Sequence, residues 1–86
     1  MPHIRVEFYG LARLRAGVTE LAVEAATIRA ALTAASAACP GLRVLGGDRV
    51  SPEFLISLNG VRFAPALDEP LGDGESLLIL GADAGG

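Results

Sequence analysis

The chain has 86 residues, 51% of them hydrophobic and 20% charged, with a formal net charge of −3. That length holds one domain with one modest core, the composition excludes an intrinsically disordered chain, and the acidic balance argues against a nucleic-acid surface. All seven basic residues are arginine, the single Cys39 excludes an internal disulfide and a cysteine-based zinc site, and no apolar run approaches the ~20 residues needed to span a bilayer. The N-terminus alternates charge with bulk and does not read as a secretory signal, so the cytoplasm is the expected compartment.

The first segment, HIRVEFYG, alternates strictly. Ile4, Val6 and Phe8 are expected to face inward, with Arg5, Glu7 and Tyr9 outward, the period of a half-buried strand. GLARLRAG, bracketed by Gly10 and Gly17, reads as a loop. TELAVEA alternates again with Leu21 and Val23 inward, which predicts a hairpin with the first strand. The period then changes to that of a helix. Thr27 is the candidate N-cap, and Ile28, Ala31, Leu32, Ala35 and Ala38 follow at helical spacing until Pro40 and Gly41 end the run. Leu42 to Pro52 holds Gly46, Gly47 and Pro52 and reads as loop with some local structure.

EFLISLNGVRF reads as strand, Asn59-Gly60 turn, strand, because both turn residues tolerate positive φ. APALDEPLGDGE, with Pro65, Pro70, Gly72 and Gly74, reads as turns. SLLILG is a closing strand, with Leu77 and Ile79 on one side and Leu78 and Leu80 on the other. A helix between two strand pairs predicts an α+β fold, a mixed sheet of four to five strands with one main helix on one face. The predicted division is a domain over 1–80 and a flexible Gly-Gly tail over 81–86.

These residues resemble a known family. The element order is that of the β-grasp, or ubiquitin-like, fold. IRVEFYGLARLRAG, TIRAALTAASAACPGL, LNG and LGDGESLLILGADAGG look like the bacterial sulfur carriers of the MoaD/ThiS family, in which MoaD is the small subunit of molybdopterin synthase. The specific parts are Leu71, Asp73-Gly74-Glu75 and the terminal Gly85-Gly86. Ser76 after Glu75, and Gly81-Ala82 before the tail, depart from the family's usual acidic residue and prolines. The length of the stretch from Leu42 to Pro52 favours the MoaD side over ThiS.

The resemblance implies a reaction at the last residue. A C-terminal carboxylate is ionised at neutral pH and is a poor electrophile. An E1-like adenylating enzyme of the MoeB/ThiF type would use ATP to convert the Gly86 carboxylate to an acyl-adenylate. A sulfur donor would then displace AMP and leave a thiocarboxylate. Glycine at 85 and 86 lets the chain enter a narrow channel, since it has no Cβ. The chain supplies no general acid or base and no bound cofactor on this reading; it is the non-catalytic subunit that carries sulfur to a large subunit of the MoaE type. Thiamine, cysteine or a secondary metabolite are alternative destinations. A ubiquitin-like protein modifier and a plain β-grasp binding module are readings from other classes.

The expected partner-binding residues are Leu55, Leu78 and Leu80 on the open sheet face, followed by Gly81, Ala82, Asp83 and Ala84 on the way to Gly85 and Gly86. Arg5, Arg62 and Tyr9 are candidates to flank the patch. Asp73-Gly74-Glu75 reads as a tight turn rather than a cation loop. Cys39 reads as a small buried hydrophobe and His3 as a surface residue.

Overall fold

Strand β1 (His3–Phe8) buries Ile4, Val6 and Phe8 and leaves His3 and Arg5 exposed, the alternation the sequence predicts. The computed structural model describes residues 1–82; the sequence readings that fall on Asp83, Ala84, Gly85 and Gly86 lie outside the described residues. GLARLRAG is not a loop: Leu11–Ala16 form a short helix, α1, closed by Gly17 at φ 78°, whose N–H donates to the Arg13 carbonyl at 2.9 Å. Six residues cannot hold a helix by themselves. Burial of Ala12 and packing of Leu11 against the core supply what local propensity lacks.

Strand β2 (Glu20–Glu24) runs antiparallel to β1, with Val23 opposite Ile4 and Leu21 opposite Val6. Helix α2 (Ile28–Ala38) starts where Thr27 Oγ1 accepts the Ala30 N–H at 3.1 Å. Thr27→Ala should therefore cost about 1 kcal/mol in chemical denaturation, with the fold retained. Ile28, Ala31, Leu32 and Ala35 are buried as predicted. Ala38, expected on the same face, is exposed, and Cys39 turns into the core instead, because the backbone leaves helical geometry at that residue.

Beyond α2, β3 (Leu45–Gly46) and β4 (Arg49–Val50) make a small hairpin, and Leu42 and Val44 before it are fully buried. Strand β5 (Phe54–Leu58) turns through Asn59 (φ 57°) and Gly60 (φ 76°) into β6 (Arg62–Phe63). Strand β7 is Ser76–Gly81. The main sheet has five strands in the order β2-β1-β7-β5-β6. The β1–β7 pair is parallel and the other pairs are antiparallel. Helix α2 packs on one face of this mixed sheet, over a core that includes Val6, Phe8, Leu32, Leu77 and Ile79. This is the β-grasp arrangement, with the last strand pinned between β1 and β5.

Candidate functional site

Burial alternates without a break along β7. Leu77 and Ile79 are fully buried in the core, whereas Leu78 and Leu80 point to the sheet's other face and are half-buried. The ladder places Leu55 directly opposite Leu80, and Ser57 between Leu78 and Phe63. Leu55, Phe63, Leu78 and Leu80 therefore form one apolar patch, in which Phe63 is 58% exposed. The three leucines were expected there. Phe63 was not singled out, because its face depends on a three-residue connection that sets Ser57 opposite Phe63 and Leu58 opposite Arg62. Arg62 is on the other face, paired with Glu69, and does not flank the patch.

A polar flank comes from β1. Glu7 stands beside Leu78 and opposite Glu20, and the Tyr9 hydroxyl donates to Glu7 Oε1 at 2.5 Å. The Tyr9 N–H donates to the Ile79 carbonyl, and the Arg13 guanidinium lies 5.5 Å from the Tyr9 ring centre. The hydrogen bond to Glu7, with some burial, raises the phenol's pKa, since ionisation breaks that bond and sets two negative charges together. Tyr9 is the only tyrosine and the chain has no tryptophan, so its ultraviolet absorbance reports this directly. The titration midpoint should lie above the ordinary phenol value of about 10, and Glu7→Ala should lower it. By linkage, the hydrogen bond's contribution to stability is present below the phenol's unfolded-state pKa and is lost as pH rises through the raised folded one.

The chain leaves the sheet beside α1. Gly81 pairs with Phe54 and is buried, so it is a strand residue rather than the start of a free tail. The Ala82 N–H donates to the Glu53 carbonyl at 2.8 Å while the residue itself is exposed. Leu11, Pro52, Glu53 and Ala82 line a shallow cleft of about 320 Å³ at this point. The Glu53 carboxylate accepts from both terminal nitrogens of Arg15, with Nη2 to Oε2 at 3.0 Å. That partner holds the Glu53 carboxyl below the usual carboxylate range, and Arg15 also stacks 5.7 Å over the Phe54 ring. Neither Arg15 nor Glu53 stands out in the sequence, where they are separated by 38 positions.

The Asp73-Gly74-Glu75 segment is a tight turn tied to the start of β1. Asp73 Oδ1 accepts the His3 N–H at 2.7 Å, and the Gly74 N–H, at φ 88°, donates to the His3 carbonyl. Glu75 folds back to accept the Gly72 N–H at 2.8 Å. Asn59 does more than turn the chain: its Oδ1 accepts the Ser76 N–H at 2.9 Å, tying the β5–β6 turn to the first residue of β7. Cys39 is buried and His3 is exposed, as expected.

No family model matches the sequence, and no curated protein matches it. Solved structures do. The small archaeal modifier protein SAMP1 from Haloferax volcanii superposes with a TM-score of 0.82 at 28% identity, covering 98% of this chain and 99% of that one. A chain of the Amycolatopsis orientalis BexX/CysO complex gives 0.77 at 24% identity, covering 96% and 99%. A chain of the complex between subunits 1 and 2 of the Helicobacter pylori molybdopterin-converting factor gives 0.68 at 24% identity, covering 98% and 99%. The fold is thus that of the small ubiquitin-like β-grasp proteins. These structural neighbours are of the MoaD/ThiS ubiquitin-like kind that the sequence resembles.

Proposed function

We propose that this protein is a ubiquitin-like sulfur carrier. Its Gly86 carboxylate is adenylated by an E1-like enzyme of the MoeB/ThiF type with release of pyrophosphate. Sulfide then displaces AMP to give a thiocarboxylate directly, or a donor's persulfide displaces AMP to give an acyl disulfide, from which a second thiol of the donor releases the thiocarboxylate as it closes a disulfide on the donor. The carrier delivers that sulfur in complex with a larger acceptor subunit, and molybdopterin synthesis with a MoaE-type subunit is the favoured destination. The observation that carries this reading is a β-grasp domain, alike over nearly its whole length to the proteins above, whose strand β7 ends at Gly81, shortly before Gly85-Gly86 in the sequence. The partners would dock on Leu55, Leu78 and Leu80, with Ala82 to Ala84 lying along their channel.

Intact mass spectrometry after incubation with the activating enzyme, ATP and a sulfur donor tests this. The expected product carries the oxygen-to-sulfur mass difference, localised to Gly86 by fragmentation. An unchanged mass with an enzyme that is active on its own carrier would sink the proposal. Addition of a molybdopterin synthase large subunit and its precursor then tests the destination.

The likeness to SAMP1 supports a second reading, in which Gly86 is joined to lysines of other proteins. The chain has no lysine, so it would not build chains through its own lysine side chains. Covalent adducts of a tagged copy in a cell lysate are its expected signature, and their absence under conditions that give the thiocarboxylate would remove it.

A further inference from the structure

We propose that Arg15 and Glu53 are positioning residues, a clamp that fixes where the C-terminal chain leaves the sheet. Glu53 is held at two points. Its side chain grips α1 through the two-pronged contact with Arg15, and its backbone carbonyl grips Ala82 at 2.8 Å. A single residue therefore couples the last turn of α1 to the first residue past β7. The next residue strengthens the link: Phe54 lies under the Arg15 guanidinium and pairs with Gly81 in the ladder. Gly41 also lies close to the end of α1, where a Cβ would stand 3.0 Å from the Arg15 carbonyl. Arg15 presents a planar fork that matches the Glu53 carboxylate in geometry as well as charge.

The consequence for transfer rests on the sulfur-carrier reading. A reacting carboxylate must reach its phosphate within a fraction of an ångström, and small displacements lower the rate steeply. A clamp at the exit reduces the range of directions in which the following residues set out. Its hydrogen bonds join α1 to Ala82 and involve none of Leu55, Leu78 and Leu80, so it acts on delivery rather than on docking.

Amide hydrogen exchange by NMR on the full chain, comparing wild type with Arg15→Gln, Glu53→Gln and Arg15→Lys, tests the clamp without any partner. Loss of an exposed ion pair predicts exchange at Ala82 that is roughly two- to five-fold faster in the two Gln variants. Protection at Val6, Phe8 and Ile79 should be unchanged, and Arg15→Lys, which keeps the charge and loses the fork, should fall between. With the activating enzyme, kcat for adenylation should fall in the Gln variants while KM holds. Unchanged Ala82 exchange, exchange that rises equally throughout the sheet, or a selective change at Ala82 with unaltered kcat would each overturn the proposal. If wild type is not adenylated at all, the sulfur-carrier reading fails and the exchange data alone decide the clamp.

Discussion

Removing Gly86 alone should abolish thiocarboxylate formation and leave thermal unfolding unchanged. The shortened chain still ends in a glycine carboxylate, so the group's intrinsic chemistry is the same. What changes is reach. One residue spans about 3.3–3.6 Å of extended chain, and adenylation requires an attacking oxygen within roughly 3–3.5 Å of the phosphorus. A deficit of that size puts the carboxylate outside bonding range, and a loss of at least about a hundredfold in rate follows. Stability should not follow, because the core is built from residues 4 to 79. The check is mass spectrometry of the activation reaction beside a thermal melt of the same sample. Activity retained by the shortened chain would mean that the partner adjusts to the carboxylate's position.

Leu77→Ala and Leu78→Ala should behave as opposites although the residues are adjacent. Leu77 is fully buried in the core, and its truncation removes apolar burial and leaves a cavity. The expected cost is about 2–5 kcal/mol, against a total stability of roughly 5–15 kcal/mol for a domain. Urea denaturation should show a large fall in midpoint. Leu78 is half-buried on the other face, beside Glu7 and Ser57, so its truncation should cost under about 1 kcal/mol of stability. It should instead weaken docking of the activating enzyme by about 1–2 kcal/mol, roughly five- to thirtyfold in Kd. Calorimetric titration at a temperature where both variants are folded separates the effects. Unchanged affinity for Leu78→Ala would remove the open face as the docking surface.

These contrasts were legible in the sequence because a strand has a period of two. SLLILG assigns Leu77 and Ile79 to one side and Leu78 and Leu80 to the other once it is read as a strand, and the observed burial follows that assignment. Asn59-Gly60 was legible for a related reason: few residue pairs accept positive φ at both positions. LARLRA reads as loop but folds as α1, since flanking glycines signal a break and six residues carry too little periodicity to signal a helix. The stretch that holds Leu42 and Val44 reads as loop with some local structure; the local structure is the β3–β4 hairpin, and the burial of both residues in the common core comes from long-range packing that no local pattern encodes.

The sequence by itself determined the elements that repeat a period and the local conformations that only certain residues accept. It also placed a glycine pair shortly after the closing strand of a ubiquitin-like pattern. Only the tertiary structure decided which residues meet across the ladder. It brought Phe63 into the apolar patch, sent Arg62 to Glu69, and joined Arg15 to Glu53 beside the exit at Ala82. The physical reason is range. Periodicity and φ preferences act within a few residues and are written in local order, whereas an ion pair between α1 and the start of β5 exists only after the sheet has closed between them.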